Sequence, residues 1–353
     1  MKITQLMLAK GFGGAERLFV DMCIAFSNAG LEVQAICQKG SESADILKES
    51  KQINLKTVPI LGAWDLFAVR KIQNLLLEHK SELVQAHLAR GALLAGRACS
   101  KLNLPLIVTT HNYIDPRYYR FVTKLVPPTL DQYNYYLQQG VSPKRMLKID
   151  HFSTLEPGSG KPREANGLIR LRTLGRLVEK KSFDVLIDAV AELAQKEKQE
   201  YELHIGGSGP QRKALQAQID HLGLDTKIKL VGWVKDSQAF LQEGDIFVLP
   251  SRDEPFGIVV IEAMAAGVAI VSTDCHGPVE ILDENTAWLC KKDDAAALYE
   301  AIRSAASSDA LRLAKIRQAS SKFSQCYSQD AVIPQFIQLY SQVLQEQPKP
   351  SPD

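Results

Sequence analysis

The sequence predicts an α/β protein built from two doubly wound parallel-sheet domains that face a central cleft. Three observations predict it. The chain has 353 residues, which suits two lobes of roughly 150–200 residues, each able to bury its own core. Short apolar runs alternate with longer stretches of helical periodicity. That alternation breaks once, at a segment rich in Gly, Pro and charge, and then restarts.

In the first half, residues 3–8, 33–37, 55–58, 83–86 and 106–110 read as strands. Residues 15–29, 66–79 and 91–102 read as the helices between them. Strand–helix alternation of this kind implies right-handed crossovers and a mainly parallel sheet. Residues 151–167 (HFSTLEPGSGKPREANG) have little apolar periodicity and read as an interdomain linker. Beyond it, strands are expected at 168–174, 202–205, 228–231, 246–249 and 269–272, with helices at 183–195, 210–222, 257–266 and 295–306. Residues 346–353 hold three prolines and no apolar anchor, which predicts a frayed tail. Open parallel sheets bind ligands outside the carboxyl ends of their strands, so the chemistry is expected there.

Composition narrows the classes. Hydrophobic residues make up 45% and charged residues 23%, and the net charge is +2. Bulk electrostatics therefore gives no case for a nucleic-acid partner. The six cysteines are scattered without a CxxC pair, a pattern that suits reduced thiols of a cytoplasmic protein. The first residues, MKITQLML, read as a strand rather than a signal peptide. No apolar run reaches the length of a membrane span, so any membrane contact is expected to be peripheral.

Three segments carry candidate chemistry. Gly11-Phe12-Gly13-Gly14-Ala15-Glu16 follows the first strand and opens a helix. Glycines there allow a phosphate to approach helix N-terminal amides, or they make a tight turn and nothing more. Gly175-Arg176-Leu177-Val178-Glu179-Lys180-Lys181 follows the first strand of the second lobe. Arg176 and Lys181 are suited to the charge on a departing diphosphate, or they belong to a solvated basic turn. In Glu254-Pro255-Phe256-Gly257 through Glu262 to Gly267, Glu254 lies in a loop and Glu262 in the second turn of the next helix. A carboxylate can grip two sugar hydroxyls at once, and the amides of Phe256, Gly257, Ile258 and Val259 are free to face a donor. The apolar flanks of Glu262 imply burial, which demands a partner.

Together these residues resemble family-4 glycosyltransferases, the large retaining group with the GT-B fold. The resemblance rests on EPFGIVVIEAMAAGVAIV, GRLVEKKSFDVLIDA, FGGAER, HIGGSGP and LVGWV, in that family's order along nearly the whole chain. It implies a GT-B architecture of two Rossmann-like domains. Residues 1–155 would form the acceptor-side domain, 156–167 the linker and 168–328 the nucleotide-sugar domain, with a helix at 329–345 packing back on the first. It implies that Glu262 binds the ribose and Glu254 the transferred sugar, while Arg176 and Lys181 neutralise the diphosphate. Gly232, Trp233 and Val234 would frame the base, and His111 would face the donor sugar. Gly13, Gly14 and Gly207 join the donor-binding set. The other six histidines read as structural. Two departures stand out: Ser182 replaces the glycine after the lysine, and Asp150-His151-Phe152 replaces Asn-Gly before the linker.

The activity implied is transfer of a hexose or N-acetylhexosamine from a UDP-linked sugar to a hydroxyl, with retention, by front-face attack. The acceptor would be a cell-envelope glycan or glycolipid such as lipopolysaccharide core of a bacterial type. No DxD-like pair sits at a strand end, so no metal and no cofactor are expected. Residues 116–130 carry Arg117, Arg120 and Lys124 among aromatics, which suits peripheral contact with an anionic membrane or equally a solvated helix. Rival readings are an oxidoreductase, for which GxGxxG is missing, a glycogen- or sucrose-synthase-type enzyme, and a non-catalytic nucleotide-sugar-binding module.

Overall fold

A computed structural model describes residues 1–62, 64–158 and 167–346. The chain divides into two units, Met1–Phe152 together with the segment from Gln329, and Ser153–Ser328. Most of the expected linker, residues 159–166, and all but Glu346 of the expected tail lie outside the described residues.

The first unit runs β1 (Lys2–Met7), α1 (Gly14–Asn28), β2 (Glu32–Gln38), α2 (Glu42–Leu47), β3 (Asn54–Val58), α3 (Leu66–His79), β4 (Leu83–His87), α4 (Leu88–Leu102), β5 (Leu106–Thr109), β6 (Lys124–Val126) and α5 (Leu130–Gln138). The second runs β7 (Leu168–Leu174), α6 (Phe183–Lys196), β8 (Glu200–Gly206), α7 (Arg212–His221), β9 (Ile228–Gly232), α8 (Ser237–Gln242), β10 (Ile246–Leu249), α9 (Ile258–Ala266), β11 (Ala269–Thr273), α10 (Pro278–Ile281), β12 (Trp288–Cys290), α11 (Ala295–Ala306) and α12 (Asp309–Lys322). The last helix, α13 (Gln329–Gln345), belongs to the first unit. Each sheet has six strands, ordered β3-β2-β1-β4-β5-β6 and β12-β11-β10-β7-β8-β9, and every pairing of named strands is parallel. The order therefore reverses at β1/β4 and at β7/β10, the places where such sheets open a crevice.

Period-2 alternation buries both faces. On β10, Ile246 and Val248 enter one core cluster while Phe247 and Leu249 enter another. Two short strands, KLV at β6 and WLC at β12, were not expected from the sequence. Of the two readings of 116–130, the solvated helix fails: Pro116–Tyr119 is one 3₁₀ turn, and the chain then enters β6. Arg117 pairs with Asp115 at 2.6 Å. Lys124 donates to the Lys144 carbonyl at 3.0 Å and lies 3.5 Å from Glu346. Two of the three cations assigned to a membrane face are thus engaged within the chain.

One face of the first sheet carries a buried polar stripe. Parallel register sets Gln5 beside Gln85 and His87 beside Thr109. Gln5 Nε2 donates to Gln85 Oε1 at 3.0 Å and lies 3.2 Å from the Tyr340 hydroxyl of α13. Gln85 Nε2 donates to Thr109 Oγ1 at 2.6 Å. His87 Nε2 lies 3.2 Å from Gln5 Oε1, which can only accept, so the proton sits on Nε2. His87 Nδ1 then accepts from His111 Nε2 at 3.1 Å. The His111 ring is tilted against His151 with centroids 5.0 Å apart. Burial pushes all three imidazoles toward the neutral form: His111 to about 3, His87 and His151 well below the ordinary histidine value.

Two predictions follow from these interiors. The unfolded chain protonates its histidines near pH 6.5, whereas the folded trio resists. Their contribution to stability is full above that pH and is lost as pH falls toward the folded values, at about 1.4 kcal/mol per pH unit for each histidine. Asp21 opposes this with one proton, since burial raises its carboxyl to about 6 despite Arg17. Three protons outweigh one, so urea midpoints are expected to drop between pH 7 and pH 5, and less steeply in His151→Leu. The second concerns Ser182, which sits between β7 and α6 at φ 49°, the left-handed region. Its hydroxyl is buried without a hydrogen-bond partner among the described residues. Ser182→Gly is expected to stabilise by about 1 kcal/mol and to raise the calorimetric Tm of the second unit by about 2–4 °C.

Candidate active site

In the second unit, backbone bonds stitch the loops after β7, β8 and β9 together. The buried Leu177 donates its N–H to Ser208 O at 2.9 Å, and its carbonyl accepts from Gln211 N at 3.0 Å. Gly207 N donates to Gly232 O at 2.6 Å. Gly207 has φ 138°, and a Cβ there would lie 1.9 Å from Gly175 O, so only glycine fits. Arg176 is exposed at the end of β7, Trp233 is 51% exposed just past β9, and Gly232 and Val234 are half-buried. Arg176 makes no ion pair among the described residues.

The loops after β7 and β10 are joined across the winding reversal. Arg252 N donates to Lys180 O at 3.0 Å. Lys181 Nζ pairs with Glu254 Oε2, both largely shielded from solvent at 13% and 15% exposure. Around them, Lys180 lies 3.4 Å from Asp253, and Arg252 lies 2.7 Å from Asp293 and 3.6 Å from Glu179. Shielding strengthens the Lys181–Glu254 attraction relative to these outer pairs, which face water and contribute little.

Glu254 is followed by the turn into α9. Gly277 packs so closely on Phe256 that a Cβ would lie 2.5 Å from its Cα, and Gly277 N donates to Glu254 O at 2.9 Å. Gly257 caps α9 at φ 102° and brings no side chain to do so. The amides of Ile258 and Val259, both half-exposed, are therefore left over at the positive end of the helix dipole. Glu262 stands in the second turn, as expected. Its expected burial is corrected to half-burial, and the Ser237 hydroxyl of α8 donates to its Oε1 at 3.3 Å.

In the first unit, Gly13 caps α1 with an extended backbone that any residue adopts, and a Cβ there meets only the Glu16 carboxylate at 3.5 Å. Gly14 begins the helix and is exposed. Neither strain nor packing requires Gly13, which serves as the N-cap of α1. His111 stands just past β5, half-exposed, with Nε2 committed to His87 and Nδ1 left as an acceptor. Sequence reasoning placed His111 but missed Gln5 and His87 behind it. The signal available was polar residues at alternate positions in otherwise apolar strands. Ser237 and Arg252 were also missed, since nothing local marks them.

Among the described residues no helix is long and apolar enough to cross a membrane, and no group of three or more His, Cys, Asp or Glu side chains is placed to hold a metal ion.

Comparison with known proteins converges on one family. The model for glycosyl transferases group 1 matches residues 160–322, and that for Glycosyltransferase Family 4 matches residues 12–143. The lipopolysaccharide core biosynthesis glycosyltransferases LpsE and LpsD of Rhizobium meliloti are each 26% identical. The alignments cover 96% and 93% of this chain and 98% and 95% of theirs. Among solved structures, Anabaena Alr3699/HepE in complex with UDP and glucose superposes with a TM-score of 0.83 at 18% identity, over 97% of this chain and all of that one. The outer core galactosyltransferase WaaB in its apo form gives 0.75 at 18% identity over 97% of this chain and all of its own. The chain belongs to the family-4 glycosyltransferases, and its two Rossmann-like units are the domains of a GT-B fold.

Proposed function

We propose that this glycosyltransferase moves a hexose or N-acetylhexosamine from a UDP-linked sugar to a hydroxyl of a cell-envelope glycan or glycolipid, of the lipopolysaccharide-core kind, with retention and without a metal. The observation that carries the reading is the arrangement after β7 and β10: an unpaired Arg176, a shielded Lys181–Glu254 pair, and an α9 terminus without a side-chain cap. Cations and free amides suit a departing diphosphate, while acceptor-only carboxylates suit hydroxyls. Support for the acceptor class comes from LpsE and LpsD, and for UDP from HepE.

In this reading Glu262 grips the ribose hydroxyls and Glu254 the sugar. Gly13, Gly14 and Gly207 let backbone approach the donor, Gly232, Trp233 and Val234 frame the base, and Phe256 to Val259 line the diphosphate. The acceptor oxygen attacks the anomeric carbon on the face from which UDP leaves. The bond from that carbon to the β-phosphate oxygen breaks, and the acceptor proton passes to that oxygen. Arg176, Lys181 and the Ile258 and Val259 amides hold the developing charge. His111, neutral by burial, offers Nδ1 as an acceptor to a sugar hydroxyl.

The test is nucleotide release from a panel of nucleotide sugars, with a lipid-glycan extract as acceptor source. Release from a UDP-sugar is expected to survive EDTA. Arg176→Ala is expected to lower kcat by about 100-fold or more, the usual cost of losing a charge-stabilising donor. Glu262→Ala should instead raise KM for the donor. Nuclear magnetic resonance of the product should show the anomeric configuration of the donor kept. Loss of turnover in EDTA that added Mg²⁺ restores would overturn metal independence.

A further inference from the structure

Behind His111 runs a chain of buried polar groups that reaches from the crevice of the first sheet to the last helix. Gln5, Gln85, His87 and Tyr340 are each fully buried, whereas His111 is half-exposed. Buried polar groups must meet donor to acceptor, so they order one another. The Tyr340 hydroxyl donates to Gln85 Oε1, and Gln5 Nε2 donates to the same oxygen at 3.0 Å. That turns Gln5 Oε1 toward His87, whose Nε2 lies 3.2 Å away. His87 meets His111 through Nδ1, 3.1 Å from His111 Nε2. Reversing one link alone would set two acceptors or two donors against each other at the next. The direction of the chain is therefore passed along it to His111.

Packing fixes the rings that carry it. Phe19 of α1 meets His87 edge-on, with centroids 5.4 Å apart and planes at 76°. The His111 ring is inclined by 36° to His87 and by 31° to His151, at 5.4 and 5.0 Å. Desolvation holds both His87 and His111 neutral, so each carries a single N–H. Apolar side chains at positions 5 and 87 would fill the same core without the cost of desolvating an amide and an imidazole. What the polar pair adds is control of one proton. With Nε2–H of His111 committed to His87, its Nδ1 is left with a lone pair. A lone pair takes a hydroxyl hydrogen and finds none on a fluorine or an ether oxygen.

We propose that Gln5 and His87 are positioning residues for the transfer. They hold His111 as a hydrogen-bond acceptor and so make one hydroxyl of the donor sugar a requirement for efficient turnover. This rests on the transfer reading above and extends it from His111 to the residues behind it.

The tautomer is read without substrate. Nitrogen nuclear magnetic resonance of the isotopically labelled full chain is expected to show His111 protonated on Nε2 alone. His87→Leu and Gln5→Met should each turn that signature into a mixture of tautomers. His87→Asn, whose amide oxygen can stand where Nδ1 stood, should restore it. Gln5→Met is close to isosteric and leaves Gln85 Oε1 its Tyr340 donor, so it serves where His87→Leu folds poorly. Kinetics use UDP-glucose, UDP-galactose, UDP-N-acetylglucosamine and their monodeoxyfluoro counterparts. At one sugar position, fluorine should cost the native chain about tenfold more in kcat/KM than it costs Gln5→Met or His87→Leu, and the same as in those variants elsewhere. His111 protonated on Nδ1 in the native chain overturns the proposal. So does a tautomer unchanged in both variants, or fluorine penalties equal in native and variant chains at every position, the mark of a merely structural role. A native chain with the expected tautomer that releases nucleotide from no UDP-sugar overturns the transfer reading and the role of His111 with it. Turnover with the wrong tautomer overturns the positioning role alone.

Discussion

A parallel strand can continue only through a crossover, and where successive crossovers leave in opposite directions the sheet opens a crevice that no helix fills. In this chain the reversals fall at β1/β4 and β7/β10. Gly11 to Gly14 follow β1, and His87 ends β4. Arg176 to Lys181 follow β7, and Glu254 to Gly257 follow β10. The winding order thus decides which loops can carry chemistry. Backbone bonds such as Arg252 N to Lys180 O then decide how firmly they are held. Polar groups placed elsewhere on either sheet would be covered by helices.

Much of this could be read from residues alone. Strand and helix alternation located ten of the twelve strands among the described residues, because an apolar run survives in strands of four residues or more. It failed at the shortest segments, and it missed the longer α5 and α12, which are largely polar and bury few side chains. KLV and WLC are edge strands of three residues, and α2, α8 and α10 span six, six and four, too few for a period to register. Residues 116–130 left two readings open, a membrane-facing segment or a solvated helix, and the paired prolines at 127 and 128 and the β6 pairing to β5 rule out the helix.

The candidate site divides in the same way. Glu254 and Glu262 were legible as a pair, since eight residues across a loop and a helix turn is a local spacing. The Lys181–Glu254 pair joins residues 73 apart and was not. Ser182 was visible only as a departure from the family's glycine. Its left-handed φ supplies the reason glycine belongs there: a Cβ is strained in that region and hydrogen is not. His87 was invisible because a histidine in an apolar strand is usually a satisfied core residue. This one is satisfied, by Gln5 and His111, and that satisfaction fixes the tautomer of a residue half-open to solvent.

The two crevices use opposite electrostatics, and the physics of burial explains the division. In the first unit desolvation keeps His87, His111 and His151 neutral, and amides and a tyrosine complete the network. A neutral network of this kind offers directed acceptors and donors and carries no net charge. In the second unit charge is kept and distributed: Lys181 with Glu254, Lys180 with Asp253, Arg252 with Asp293 and Glu179. Among the described residues, those ion pairs leave Arg176 without an acidic partner, and Gly257 leaves the first turn of α9 without a side-chain cap. Desolvation thus leaves the polar groups of one unit neutral and hydrogen-bonded, while the paired groups of the other stay charged because each is met by an opposite charge nearby.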